Sequence, residues 1–202
     1  MLGAIVLAGG DSTRMGTPKA VLPDASGRPF VARLVNTFRA AGIEEVVVVT
    51  GASHELIVAA LERDAAPLPH VVRNSDPSRG QLSSLWTGLD ALQHLALDAV
   101  LMTPVDVPMV KEDTVRAVVE AWRRRRPPVA RPVMGDRHGH PVLFDRALFV
   151  ELRRAPLAEG AKAVVHGHED QLLNIEVDDE GCLTDVDTRA DYDALIARGP
   201  TR

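Results

Sequence analysis

The chain has one cysteine, Cys182, so an internal disulfide is excluded and a reducing compartment suits it. Basic charge is in deficit: 23 lysines and arginines face 28 acidic residues, for a net charge of −5. That balance argues against nucleic acid as a partner. The run Arg123-Arg124-Arg125-Arg126 does not reverse this, because no aromatic residues are interleaved with it and it sits where a helix is expected to end. No apolar run approaches the length of a membrane span. The N-terminus runs straight into strand-like sequence, with no charged leader or small-residue cleavage site, so no membrane partner is expected and a cytoplasmic location is. Internal repeats and low-complexity segments are also missing. So are two common phosphate-binding signatures. Gly16 is followed by Thr17-Pro18-Lys19 rather than Lys-Ser/Thr, and glycines at 9, 10 and 16 do not make G-x-G-x-x-G.

The 202 residues are 46% hydrophobic, enough for one sizeable α/β core. Short apolar runs alternate with amphipathic stretches, the pattern of βαβ units and a mostly parallel sheet. Strands are expected at Ala4–Leu7, Glu45–Thr50, His70–Arg73 and Asp98–Thr103. Helices are expected at Pro29–Ala41, from a Ser53 cap to about Arg63, at Gly80–Leu95, and around Val115–Trp122. After Pro127-Pro128 the pattern changes. Strands at Val129–Met134 and His140–Phe144, joined by a polar loop over Gly135–Gly139, precede helices at Asp145–Arg154 and Gly160–Val165. A strand at Leu172–Val177 and a helix at Asp191–Ala197 follow.

Ala4 to Leu22 is the most informative stretch. A buried strand that breaks into Gly9-Gly10 exposes backbone N–H groups that phosphate oxygens can accept from, and Arg14 and Lys19 add positive charge nearby. A polyphosphate fits this pattern; a tight turn with two solvated basic side chains fits it too. Asp106 lies just past an apolar strand between Pro104 and Pro108, where open α/β sheets bind ligands. Its carboxylate could hold Mg²⁺ or cap local N–H groups. Asp185 and Asp187 alternate, so in an extended chain they share a side, and Thr188 is placed to cap the next helix. Gly80 opens a helix whose first turn carries Gln81, Ser83 and Ser84, suited either to an anion or to ordinary helix-start chemistry. The H-x-H pairs His138/His140 and His166/His168 lack further ligands for zinc.

The full string L-A-G-G-x-S-x-R-M-G-x-x-K, met at Leu7, Ala8, Gly9, Gly10, Ser12, Arg14, Met15, Gly16 and Lys19, resembles the signature of the nucleotidyltransferases that build molybdenum cofactor dinucleotides. The segments Arg73–Gly88, Val100–Pro108, GDRHGHPVLF at Gly135–Phe144, and GCLTDVDTRADY at Gly181–Tyr192 carry the resemblance along nearly the whole chain. It implies a Rossmann-like, doubly wound, mostly parallel sheet in a single domain over 1–202. Residues to about 125 would form the nucleotide half and those from about 126 the acceptor half.

The resemblance also implies roles. Leu7, Ala8, Gly9, Gly10, Ser12, Arg14 and Lys19 surround the triphosphate. Asn74, Gly80 and Ser84 meet the rest of the nucleotide. Asp106 and Asp187 hold Mg²⁺, and Lys19, Arg14 and Asp106 carry the chemistry. Arg137, His138, His140 and Gly160 face the acceptor. The implied partners are an NTP, CTP or GTP, and a phosphorylated acceptor such as molybdopterin, with a molybdoenzyme or its chaperone as a further one. Ala8-Gly9-Gly10 resembles the guanylyl branch, whereas more of the chain, from GDRHGHPVLF to DVDTRADY, resembles the cytidylyl branch. Cytidylyl transfer to molybdopterin is therefore the expected activity. The alternatives are guanylyl transfer, a sugar-phosphate nucleotidyltransferase, and a non-enzymatic nucleotide- or cofactor-binding chaperone of a molybdoenzyme.

Overall fold

The computed structural model describes residues 1–10 and 16–199. Its first half is built on four parallel strands, β1 (Leu2–Ala8), β2 (Glu45–Thr50), β3 (His70–Arg73) and β4 (Ala99–Pro104), in the order β3-β2-β1-β4. Every residue of β1 and β4 is buried, as expected for strands covered on both faces. Alternation sorts their side chains. Ala4, Val6 and Ala8 join a core with helices α1 (Phe30–Ala40), α2 (His54–Asp64) and α4 (Glu112–Arg125), whereas Ile5 and Leu7 join a core with α3 (Gln81–Ala91) on the other face. The arginine run closes α4, and Arg126 turns left-handed (φ 49°) and stacks on the Trp122 ring at 4.1 Å.

The second half extends the same eight-stranded sheet with β5 (Val129–Met134), β6 (Arg137–His138), β7 (Val142–Asp145) and β8 (Leu173–Glu176). Strand β7 is antiparallel to both β4 and β5, so β5 runs the same way as β4 and ends at the same end of the sheet. Strand β8 pairs parallel with β5. Helices α5 (Phe149–Arg154) and α6 (Lys162–Gly167) cover the α3 face, and α7 (Arg189–Ala197) closes the described chain.

The structure departs locally from the expected elements. The Gly135–Gly139 loop is a tight turn followed by β6, which folds back on β5. Val133 pairs with His138 but Val129 pairs with Phe144, a two-residue shift in register that places a bulge between β6 and β7. Ser53 makes no capping bond to α2; instead Thr50 Oγ1 lies 2.7 Å from His54 Nδ1. The helix expected from Asp145 starts at Phe149, after a 3-10 turn over Arg146–Leu148 that Asp145 caps. Thr188 does cap α7, in a reciprocal box with Asp191.

Candidate active site

A cleft of about 370 Å³ opens at the carboxyl ends of β1 and β4. Its walls take Leu7, Ala8, Gly9, Gly10, Lys19, Gly80, Ser84, Asp106 and Asp187 from the expected set, together with Pro77, Gln81, Pro104 and Val105. Ser12 and Arg14 lie outside the described residues.

The floor is backbone packed on backbone. A Cβ on Gly51 would sit 2.5 Å from the Gly9 carbonyl oxygen, and one on Gly9 would sit 3.1 Å from Ser84 Oγ. Glycine at 9 and 51 therefore lets the turn after β1 lie against β2 and α3. Gly80 enters α3 at φ 90°, a conformation that suits glycine. Asn74 is buried and its amide is committed within the protein. Nδ2 donates to Ser83 Oγ (2.9 Å) and Ser84 Oγ (3.0 Å), and Oδ1 accepts from the Asp76 N–H (3.0 Å). It does not line the cleft; it fixes the first turn of α3, which does.

Lys19 opens a 3-10 turn, and its Nζ donates to Asp187 Oδ1 (2.6 Å) and Asp106 Oδ2 (3.3 Å). Burial works against its charge, but the Asp187 and Asp106 carboxylates hold the ammonium above the ordinary lysine range. Asp106 follows β4, and its carbonyl accepts the Val186 N–H at 2.8 Å, which ties the distant C-terminal segment to the cleft. Asp191 fixes that segment from the other side, accepting from the N–H groups of Asp187 (3.1 Å) and Thr188 (2.7 Å). Asp185 and Asp187 are exposed while Val186 between them is buried, as the alternation predicted. Burial, then Asp106 and Asp187, push the Asp185 carboxyl up.

Two carboxylates that already converge on one cation fit a divalent metal. Mg²⁺ is commonly held by one or two carboxylates, with substrate phosphates completing its shell. Among the described residues no group of three or more His, Cys, Asp or Glu side chains could hold a metal alone. Of the two H-x-H pairs, His168 places its Nε2 2.8 Å from Glu151 Oε2.

The residues expected to face the acceptor are not among those that line the cleft. His138 and Arg137 point to opposite faces of the β5–β6 hairpin. Arg137 Nη2 donates to the Leu183 carbonyl at 3.4 Å, bracing the segment that leads to Asp187. His140 has a buried Nδ1 with no hydrogen-bond partner among the described residues. Gly160, at φ 69°, makes the turn into α6. Sequence reasoning left out Pro77 from the cleft wall, and nothing local signals it: a 3-10 turn, Pro77–Arg79, carries it there.

The family model of the MobA-like NTP transferase domain matches residues 4–172. The chain belongs to this family. Membership in an NTP transferase family supports a nucleotidyltransferase enzyme. It is 35% identical over 122 residues to a probable molybdenum cofactor guanylyltransferase of Rhodopirellula baltica, covering 59% of this chain and 54% of that protein. It is 34% identical over 127 residues to the bifunctional protein GlmU of Cutibacterium acnes, covering 62% of this chain and 30% of that one. The chain thus spans about half the length of the first relative and under a third of the second. Among solved structures, Rv0371c of Mycobacterium tuberculosis in complex with manganese superposes with a TM-score of 0.79 at 26% identity, over 97% of this chain and 98% of that one.

The doubly wound, mostly parallel α/β fold is therefore that of a MobA-like nucleotidyltransferase. Among the described residues no helix is long and apolar enough to cross a membrane.

Proposed function

We propose that the chain transfers CMP from CTP to the phosphate of molybdopterin, releasing pyrophosphate. The observation that carries the reaction type is the convergence of Asp106 and Asp187 on Lys19, at the mouth of a cleft floored by Gly9 and Gly10. The acceptor phosphate oxygen attacks the α-phosphorus and pyrophosphate leaves, so catalysis rests on positioning and on neutralising charge. The N–H groups around Gly9 and Gly10 meet the triphosphate, and Lys19 offsets charge gathering at the α-phosphate. Ser84 and Gly80 bound the nucleotide on the α3 side. A divalent ion such as Mg²⁺, held by Asp106 and Asp187, supplies further neutralisation of the phosphate oxygens. We place this chemistry in one domain over residues 1–202, with the nucleotide half before about 126 and the acceptor half after it, in the cytoplasm.

The choice of CTP rests on the resemblance of GDRHGHPVLF and DVDTRADY to the cytidylyl branch. GTP is the second reading. Ala8-Gly9-Gly10 favours it, as does the name of the Rhodopirellula relative.

Thermal unfolding with each of the four NTPs, with and without Mg²⁺, tests both. A ligand at ~100 times its Kd adds about 2.7 kcal/mol and raises the Tm by several degrees. The expected result is a Mg²⁺-dependent rise with CTP that Asp106→Ala abolishes, together with a fall in pyrophosphate release of at least about a hundredfold in that variant. The same pattern with GTP moves the assignment to guanylyl transfer. No rise with any NTP overturns the nucleotide assignment.

A further inference from the structure

Basic side chains gather beside the cleft. Arg131 and Val133 are two apart on β5 and so share a face, and His138 pairs directly with Val133, which puts it on that face as well. Val129, on the same face, belongs to the core that Val164 and Val165 of α6 enter, so α6 packs over this side of the sheet. Lys162 and His166 lie one turn apart on α6. The charges of Arg131, Lys162 and His166 all reach His138. Lys162, His138 and His166 are exposed, and none makes a hydrogen bond or ion pair among the described residues. Arg131 Nε donates to Asn174 Oδ1 at 3.0 Å, and Glu169 is the carboxylate whose charge reaches it.

Two observations tie the cluster to the chemistry. Strand β5 ends at the same end of the sheet as β4, so the cluster stands beside Asp106 on the face that carries α3. Between them is His140, whose buried Nδ1 has no hydrogen-bond partner among the described residues and whose ring the charges of Asp106, His138 and Lys162 all reach.

We propose that Arg131, His138, Lys162 and His166 form the docking site for a phosphate monoester on the acceptor. The site presents that group to the side of the cleft where Asp106 stands. This deepens the nucleotidyltransferase reading and rests on it. Guanidinium and ammonium groups supply the charge, and the imidazoles supply N–H donors that bind a phosphate without adding to the repulsion. Burial and the surrounding cations hold His138 below the ordinary imidazole range, so at neutral pH its ring is uncharged and donates from one nitrogen.

The test uses ¹⁵N-histidine-labelled full chain, first saturated with Mg²⁺ and NTP so that the cleft is filled. Phenyl phosphate, a simple monoester, is titrated in, and pyrophosphate in a parallel sample. The expected result is saturable movement of the His138 and His166 ring signals with phenyl phosphate, weakened roughly tenfold or more in Lys162→Ala. No movement overturns the proposal. So does movement with pyrophosphate alone, which would make the site one for the leaving group, or movement that survives in a Lys162→Ala/His166→Ala double variant. Both residues are exposed, and an unchanged Tm confirms that the variants fold. The NTP-induced Tm rise in the same variants reads the cleft separately, so loss of the nucleotide reading and loss of the docking site are distinguishable.

Discussion

Lys19 and Lys162 stand at the same end of the sheet in opposite electrical surroundings. Lys19 is largely buried and held by Asp187 at 2.6 Å and Asp106 at 3.3 Å. Lys162 is exposed, with Arg131 and two histidines around it and no carboxylate paired to it among the described residues. The cleft balances Lys19 across the two halves, with Asp106 from one and Asp187 from the other, so a triphosphate must exchange contacts that already exist. Lys162, His138 and His166 make no hydrogen bond or ion pair among the described residues, so an anion there adds contacts without breaking theirs. The cleft is preorganised by its ion pairs, and the basic cluster around Lys162 is built to be completed by a ligand.

The backbone anchors of the two halves offer the largest tests of that contrast. In Gly51→Ala the new Cβ meets the Gly9 carbonyl, and in Gly139→Ala it meets the Cys182 carbonyl. Overpacking of this kind costs about 1–3 kcal/mol, visible as a lower Tm for each variant. The functional losses should separate. Gly51→Ala moves the floor of the cleft, so NTP binding weakens several-fold while the His138 signal still responds to a monoester. Gly139→Ala displaces the β6 hairpin and shows the reverse. If both variants lose both ligands together, the halves are not independent and the comparison fails.

Legibility differs between the halves for the same physical reason. The run Val46-Val47-Val48-Val49 marks β2 at its observed bounds, Glu45–Thr50, because a doubly covered parallel strand is apolar on both sides. Gly9 and Gly80 stand where the chain turns into the cleft, one close against Ser84 and the other at φ 90°, and both settings favour glycine. Asn74 looks like a ligand residue from its neighbours in sequence. Its commitment to Ser83 and Ser84 shows only when α3 folds back over β3. Asp106 and Asp187 are 81 residues apart, and only the family resemblance, not local pattern, brings them together. Of the Arg131 cluster only His138 is legible, through the family resemblance, and the juxtaposition of the four residues is not. It depends on which residue of β6 meets Val133, and on a bulge that shifts the register by two, and neither is written in composition or periodicity.

Removing each lysine's charge gives the smallest effect and the sharpest comparison, because the two changes should have opposite signs. Lys19→Met leaves Asp106 and Asp187 facing each other with no cation between them, and the ligand-free protein should lose stability. Lys162→Met removes a repulsion and should leave the Tm unchanged or slightly higher. Both effects are expected within about 1 kcal/mol, since Asp187 and Lys162 are exposed to solvent. The pH dependence carries the same sign. The Lys19 pKa is raised above the ordinary lysine value of 10.5, so its contribution is fully present below that value. It is lost as pH rises through the folded value. Wild-type protein should therefore lose a small increment of stability on that alkaline limb, measured by denaturant unfolding without ligand, and Lys19→Met should lack it. Lys162→Met should keep it. Loss of the increment in both variants would mean that the ion pairs of the cleft depend on the Lys162 cluster after all.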